Sequence, residues 1–372
     1  MIYNNARLAN TPWELIIKAY RKHLGLNSFD ILDGYRSSLV DFLSSPDQTL
    51  VSRASQLDQS ESFYFSAFSV LQKLLNLKEK LSRGQLDTAV ANIDFMISKM
   101  DSMDILLPLT QDDLAREIEE QVIPLSASLS SHLQKHHDPE LVEKLPIALL
   151  AELVIKFAFR HWQECFDGIT GLVIVGYGEG DLYPGLVNLE VYGFFAGKLL
   201  SLIRDSEQIS ETRANESIIK SFAQSSAVDS FTKGCSEDVY AHVENHHKNH
   251  SISAIRKYCD GADFVFDESL AIKLVEIESA EFQRNWSFAV WDNHLKPMWG
   301  VLGGFSATEL AELAETLVQL ESIKEKVTRR TQSVGGPIDV AVITKSEGLV
   351  WIKRKLYFDP SLNQRYFQRT SL

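Results

Sequence analysis

The sequence predicts an α+β protein with many helices and few strands. Over most of the 372-residue chain, apolar side chains recur at the three- and four-residue spacing of amphipathic helices. Two regions, around residues 170–203 and 338–354, are instead rich in short β-branched runs bounded by glycine, which is typical of strands. We expect about five or six strands, and the amphipathic helices need a sheet or one another to cover their apolar faces.

The N-terminal part is predicted to be largely helical. Met1–Asn4 has the pattern of the tail of a strand whose beginning is missing. Thr11-Pro12-Trp13-Glu14 predicts a helix start, with Thr11 as the cap and Pro12 at the first helical position, and Gly25 is expected to end that helix. A second helix is predicted over 28–45 and three more over 59–135.

The middle of the chain changes from helix to strand. Asp138-Pro139 predicts a helix cap, and the apolar stretch from Leu145 to Phe159 predicts a buried core helix. Thr170–Tyr177 is short, apolar and β-branched, which predicts a buried strand. A second strand is expected over 186–192 and a third over 195–203, joined by a turn at Gly193.

The C-terminal half is predicted to return to helix before a final hairpin. Helix is expected over 215–260 and 286–301, whereas 270–278 fits strand or helix equally. Ser306-Ala-Thr-Glu309 predicts a capping box. The helix that follows is expected to bury a stripe of leucines: Leu310, Leu313, Leu317 and Leu320. Residues 338–343 and 349–354 are predicted to pair as a hairpin through a loop ending in Gly348.

Composition excludes several classes of protein. Asp and Glu outnumber Lys and Arg by 50 to 37, giving a net charge of −13, which argues against a nucleic-acid binder. Cys165, Cys235 and Cys259 are too few and scattered for a disulfide framework or structural zinc site, and no signal peptide or membrane-spanning segment is apparent. We therefore expect a cytoplasmic protein that binds no membrane.

Three separated segments resemble the proteasome-like branch of the N-terminal nucleophile hydrolases, including bacterial members. They are residues 1–25, residues 147–204 with the strand Gly171–Tyr177, and residues 305–355 with the hairpin after Gly335-Gly336. The resemblance covers roughly 40% of the chain. It implies a single domain over 1–372 with the αββα sandwich of that superfamily, incomplete at the N-terminus. Helical insertions are expected at about 45–140 and 225–300.

The resemblance implies peptide or amide bond hydrolysis in a full-length parent, but it assigns no catalytic residue here. The family uses an N-terminal Thr, Ser or Cys whose own α-amino group acts as the base. By the resemblance these residues precede the position where this chain begins, and removal of Met1 would expose Ile2. Either the parent's first strands are missing from this chain, or the member has lost the chemistry.

The loop Gly176-Tyr-Gly-Glu-Gly-Asp181 follows a predicted strand, as a phosphate-binding loop would. It lacks the spacing of a dinucleotide-binding motif and carries two acids. A tight turn between strands is the other interpretation.

Histidines recur every four residues at His242, His246 and His250, beside Glu244 and His247. Two imidazoles one helical turn apart can bind a metal, although a solvated helix face explains the pattern as well. His132 and His136 repeat it more weakly. The sequence assigns no metal and no cofactor.

The remaining candidates each have a structural explanation. Gly234-Cys235 could be a self-cleavage point or a helix connection, and Cys165 is expected to be a buried apolar residue. The acid pairs Asp112-Asp113 and Glu119-Glu120 fit helix starts and solvated helix faces. Lys353-Arg354-Lys355 could meet an acidic neighbour or protect an exposed strand edge.

Three functions stay open from the sequence. The first is a proteasome-like hydrolase relative that lacks its nucleophile, and the second is a non-catalytic scaffold or partner-binding protein on the same fold. The third is an unrelated α/β protein that binds a small ligand near Gly176–Asp181. Self-association or a partner chain is expected in the first two.

Overall fold

The computed structural model describes residues 1–45, 50–75, 77, 83–166, 168–208, 217–328, 335–354, 356 and 358–370. These residues combine helices with antiparallel sheets, as the α+β prediction requires. They form two compact units: unit 1 comprises Met1–Asp181 and Gly185–Gln208, and unit 2 comprises Leu182–Pro184 and Ile209–Leu372. The single domain over 1–372 and the stacked-sheet sandwich stay predictions.

Unit 1 contains six strands and seven helices among its described residues. The strands are β1 (Ile2–Tyr3), β2 (Arg7–Leu8), β3 (Thr11–Pro12), β4 (Thr170–Gly176), β5 (Gly185–Phe195) and β6 (Lys198–Gln208). The helices are α1 (Trp13–Leu24), α2 (Leu32–Ser44), α3 (Arg53–Leu74), α4 (Arg83–Asp101), α5 (Gln111–Gln134), α6 (Pro139–Val142) and α7 (Ile147–Cys165). The predicted helices and the buried core helix are confirmed.

The main sheet of unit 1 has the order β1-β4-β5-β6, with every pair antiparallel. One face carries Leu189, Val191 and Phe194 into a core shared with α1 and α2. The other carries Tyr192 and Phe195 into a larger core built mainly from α3, α4, α5 and α7. Helices therefore cover both faces of this sheet.

The turn between β5 and β6 lies at Ala196-Gly197, so the predicted turn at Gly193 is wrong. Ala196 and Gly197 both have positive φ, which suits a two-residue hairpin turn. Gly193 instead lies inside β5, at a register shift that lets Val191 and Phe194 enter the same core. It has φ +140, a conformation that favours glycine.

The start of α1 also differs from the prediction. The helix begins at Trp13, after Pro12, without a side-chain cap, and it ends at Gly25 as expected. The Thr11 hydroxyl does not cap it but donates to the Leu50 carbonyl at 2.8 Å. Thr11 pairs in β3, so tertiary structure overrides the local capping pattern.

Unit 2 contains helices and one hairpin among its described residues. The helices are α8 (Ser226–Lys233), α9 (Glu237–Gly261), α10 (Glu268–Val290), α11 (Lys296–Leu302), α12 (Ala307–Thr328) and α13 (Gln364–Thr370), with a π-helical turn at Trp291–Leu295 and a 3₁₀ turn at Pro360–Leu362. The hairpin pairs β7 (Val340–Thr344) with β8 (Gly348–Lys353). The helix predicted over 215–260 is wrong for 217–225, because the first helix of this region begins only at Ser226; residues 215 and 216 lie outside the described residues. Residues 270–278 are helical, within α10, whose start is capped by Asp267.

The capping box at Ser306 and Glu309 is confirmed, but the leucine stripe of α12 is not buried as predicted. Leu317 is buried, whereas Leu310 and Leu320 are exposed. The buried face of α12 includes Glu321, whose carboxylate accepts a hydrogen bond from the Ala227 amide at 2.6 Å. The face of α12 that packs against the start of α8 is partly polar, and Leu310 and Leu320 therefore lie on the exposed side of the helix.

Candidate functional site

A cleft of about 840 Å³ lies in unit 1 between α3, α5 and the β5–β6 turn. The ionisable residues that line it are Arg53, Asp58, Glu61, Tyr64, Asp113, Arg116, Glu117, Glu120 and Lys198. Carboxylates outnumber cationic side chains among them. The cleft is therefore acidic before any ion pairs are taken into account.

Glu117 and Tyr64 form a buried pair at this cleft. The Tyr64 hydroxyl donates to Glu117 Oε2 at 2.6 Å. Burial raises the pKa of Glu117, and the hydrogen bond from Tyr64 offsets only part of that rise. Burial and the nearby Glu117 charge raise the pKa of Tyr64 well above 10. Glu117 is thus a carboxyl that takes up a proton more readily than an exposed one.

Asp113 lies one turn earlier on α5 and has the opposite behaviour. Its carboxylate accepts hydrogen bonds from Lys198 Nζ at 2.6 Å and from the Thr110 backbone amide at 2.9 Å, and Arg116 Nη2 lies 3.0 Å away. Burial opposes ionisation, but the hydrogen bonds from Lys198 and Thr110 outweigh it and lower the pKa of Asp113 to about 2. Asp113 therefore stays charged at physiological pH.

The same ion pairs fix the β5–β6 turn against the helices. Lys198 Nζ also donates to the Pro108 carbonyl at 3.0 Å, and Arg116 Nη2 donates to the Ala196 carbonyl at 3.2 Å. On the other side, the Phe194 amide donates to Gln59 Oε1 at 2.9 Å. The turn that borders the cleft is held by both α3 and α5.

Chemically, the cleft pairs a carboxyl whose pKa is raised with a fixed carboxylate on the same helix. Such a pair can separate the roles of proton donor and charge stabiliser. Asp113 is already neutralised by two cations. The remaining acidic character of the cleft comes from its other four carboxyl groups: Asp58, Glu61, Glu117 and Glu120. A ligand with a cationic or hydroxyl group would match them.

Only part of this site could be predicted from the sequence. The placement of Asp112-Asp113 at a helix start is confirmed, since Asp113 forms a capping box with Thr110. Glu119 and Glu120 are exposed, as expected. Glu117 carried no local signal, because its environment depends on Tyr64, 53 positions earlier in the chain.

The loop at Gly176–Asp181 is a turn between antiparallel neighbours β4 and β5, which confirms that interpretation. Asp181 Oδ2 accepts hydrogen bonds from the Gly178 amide at 2.8 Å and the Leu32 amide at 3.0 Å, so it caps the start of α2. A Cβ at Gly178 would lie 2.3 Å from the Asp30 carbonyl oxygen. The loop packs on residues 29–32, where the Glu179 and Gly180 amides donate to the Phe29 and Asp30 carbonyls at 2.9 and 2.8 Å instead of being available to a phosphate.

The histidines of α9 lie side by side on its exposed face. The ring centroids of His242 and His246 are 4.3 Å apart, and those of His246 and His250 are 5.6 Å apart. His247 points elsewhere and stacks on Phe282 of α10. No group of three or more His, Cys, Asp or Glu side chains in the described part of the chain is placed to hold a metal ion.

The packing around the second histidine pair, Cys165 and Cys235 fits a structural role for each. The rings of His132 and His136 are tilted against each other with their centroids 5.2 Å apart, and burial together with the His136 and Lys135 charges lowers the pKa of His132. Cys165 is buried, as predicted. Gly234 has φ +83 and ends α8, so Cys235 connects two helices rather than beginning a strand.

The basic run that begins at the end of β8 contacts Glu315 and Trp351 in unit 2. Lys353 forms an ion pair with Glu315 of α12, and the Arg354 guanidinium lies 5.1 Å from the centre of the Trp351 ring. Lys355 lies outside the described residues. Lys353 therefore meets an acidic neighbour within its own unit.

A second candidate site is the apolar surface of unit 2. Eight hydrophobic residues of this unit are buried among those described: Ala227, Val228, Ala271, Val275, Leu302, Ala311, Leu317 and Val340. Helix α9, 25 residues long, buries none of its side chains. Large apolar residues are exposed on α10, α12 and β8, among them Ile277, Phe288, Ile323 and Trp351. An exposed apolar surface of this kind is typical of a protein interface.

The comparisons with known proteins give no family. No protein-family model matches the chain, no curated protein matches it, and no solved structure matches it. Within the described residues, no helix has the length and apolar content needed to cross a membrane. The acidic cleft of unit 1 and the apolar surface of unit 2 are therefore the two features that bear on function.

Replacement of Gly178 by Ala should destabilise unit 1. The new methyl group would clash with the backbone of Asp30 and Ile31, which cannot move as a flexible side chain would. We expect the free energy of unfolding to fall by about 2 kcal/mol or more. Gly84→Ala is the matched control, because a Cβ there meets nothing within 4 Å, and it should stabilise helix α4 by about 0.5–1 kcal/mol. Equal effects of both variants in denaturant unfolding would contradict the packing of this loop.

Asp113→Asn should cost stability in a pH-dependent way. The pKa of Asp113 is lowered in the folded state, so its stabilisation is complete above the ordinary value of 3.8 and is lost as pH falls through about 2. We expect a deficit of about 2 kcal/mol at pH 7 that shrinks between pH 4 and pH 2.

Denaturant unfolding followed by tryptophan fluorescence at several pH values measures this deficit. Asp112→Asn is the control, since Asp112 is exposed on the same turn and its loss should change stability by no more than about 0.5 kcal/mol. A deficit for Asp113→Asn that stays constant from pH 7 to pH 2 would show that its charge is not what stabilises the fold.

Proposed function

We propose that this chain is a scaffold or partner-binding protein, in which unit 2 supplies the binding surface and unit 1 a rigid folded body. The observation that carries the proposal is the contrast in burial between the units. Unit 1 encloses two hydrophobic cores on the faces of its sheet. Unit 2 leaves large apolar side chains exposed on α10, α12 and β8.

The long helices α9 and α10 of unit 2 bury few of their side chains. A helix in water gains most of its stability from packing an apolar face, and not from its intrinsic propensity. Helix α9 has no buried side chain, and α10 buries only Ala271, Val275 and Ser279. Association with another protein surface would remove the exposed apolar side chains from water and so stabilise the unit.

A second proposal, descent from the N-terminal nucleophile hydrolases, rests on the order of the three resembling segments. The antiparallel main sheet of unit 1 is compatible with it at the coarse level of fold class. It assigns no catalytic residue in this chain. Protein purified from its native cells tests it: a mature chain that begins with Thr, Ser or Cys and reacts with an N-terminal nucleophile trap would support hydrolysis.

Small-ligand binding at Gly176–Asp181 is not favoured by the geometry, because Asp30 and Ile31 fill the space beside Gly178. If unit 1 binds a small molecule, the acidic cleft beside Glu117 is the better place. This option is independent of the scaffold proposal, since the cleft and the apolar surface lie in different units.

Radical footprinting of the full chain tests the scaffold proposal. In dilute protein, Phe288 and Trp351 should be oxidised rapidly, whereas Trp13 and Trp162 of unit 1, both buried, should react slowly. Raising the protein concentration, or adding a bound partner, should then protect side chains of unit 2 without changing Trp13. Slow oxidation of Phe288 and Trp351 in a dilute monomer would mean that the apolar surface is closed within one chain, and would contradict the proposal.

A further inference from the structure

One exposed face of α10 has the spacing of a coiled-coil seam. Its members, called here the α10 stripe, recur at alternating intervals of four and three residues, and the last of them lies in the π-helical turn that continues α10: Leu270, Leu274, Ile277, Glu281, Arg284, Phe288 and Trp291. All seven are exposed. Five are large and apolar, and the two charged members lie together in the middle.

The α10 stripe lies on the side of α10 that faces away from α9. The opposite side of α10 carries its buried residues Ala271, Val275 and Ser279. On that same side, Phe282 stacks on His247 of α9, and the Trp286 ring lies 5.3 Å from Tyr240. The contacts with α9 therefore involve other side chains. Trp291 of the stripe contacts Trp299, with 4.8 Å between the ring centroids, but all seven stripe residues remain exposed to another molecule.

The order of residues in the stripe makes it complementary to itself. When two copies of α10 run antiparallel about a two-fold axis between positions 281 and 284, Glu281 of each copy faces Arg284 of the other. The same register sets Ile277 opposite Phe288 and Leu274 opposite Trp291 of the second copy. In these four apolar positions each apolar residue faces an apolar one, and each charge faces its opposite; Leu270 faces Leu295, which lies beyond the stripe.

Other arrangements lose this match. A parallel, in-register pair of stripes would place Glu281 against Glu281 and Arg284 against Arg284, which is repulsive. No ion pair of Glu281 or Arg284 is found within the described residues, so both side chains are available for a contact between molecules. At 1.5 Å per residue, α10 is about 35 Å long, which together with the π-helical turn that continues it is long enough to hold the facing pairs of residues described above.

We infer that the α10 stripe binds a second copy of this chain, forming a two-fold antiparallel helix pair centred on reciprocal Glu281–Arg284 contacts. The inference rests on the proposed scaffold function and specifies its partner. It also gives the interface a geometry, which charge reversal and cross-linking can test separately.

Charge reversal tests the pairing in sedimentation experiments on the full chain. Glu281→Arg and Arg284→Glu each place like charges together twice in the dimer, and each should raise the dissociation constant at least about tenfold. The double variant restores opposite charges and should return to within about threefold of the wild type. Glu276→Arg, an exposed change on α10 outside the stripe, is the matched control and should leave the dissociation constant unchanged.

Cysteine cross-linking tests the register. A mixture of the Glu281→Cys chain with the Arg284→Cys chain should form an intermolecular disulfide between positions 281 and 284, identified by peptide mapping. A link between two copies of position 281, formed more readily than the mixed one, would indicate parallel pairing and overturn the inference.

The outcomes separate this inference from the proposed function. A monomeric wild-type chain at high concentration would overturn the second-copy pairing, and so would a double variant as weak as the single ones. If unit 2 is nevertheless protected by assembly in footprinting, the scaffold proposal stands and only the partner or surface is wrong. If unit 2 is slowly oxidised in dilute monomer, both fail.

Discussion

Strand β5 is the element on which the structure of unit 1 depends. It pairs with β4 on one side and β6 on the other, and its side chains enter both hydrophobic cores. The register shift at Gly193 lets Val191 and Phe194 enter one core, and Tyr192 and Phe195 enter the other. Phe195 then contacts Phe63, Tyr64 and Phe159, which fixes α3 and α7 on the same face of the sheet. The cleft follows from this arrangement, because Tyr64 and the β5–β6 turn form part of its wall.

Among its described residues, unit 2 has no comparable central strand. Its hairpin β7–β8 is two-stranded, and a two-stranded hairpin is at best marginally stable without a further layer. Its polar contacts are well made: Glu321 accepts hydrogen bonds from Ser226 and Ala227, and Glu244 pairs with Lys248. What it lacks is enclosed apolar area, the largest favourable contribution to folding. Under the scaffold proposal, the exposed apolar residues of unit 2 form the interface with a partner.

Local sequence patterns predicted those features that local physics determines. The Ser306–Glu309 capping box and the apolar helix α7 need only neighbours a few residues away, and both are confirmed. The predictions of a turn at Gly193 and of burial for Leu310 and Leu320 were wrong, because these features depend on which distant parts of the chain pack against them. The site shows the same limit. Asp113 could be placed at a helix start, but its ion pair with Lys198, 85 positions later in the chain, could not be predicted from one sequence.

The most direct test of the central claim is calorimetry of the full chain over a hundredfold range of protein concentration. The claim is that unit 1 is stable by itself and unit 2 gains stability by association. It predicts two transitions: one independent of concentration, and one whose midpoint rises with concentration because association stabilises the folded state. A single cooperative transition with a midpoint independent of concentration would contradict the account, because both units would then be stabilised within one molecule.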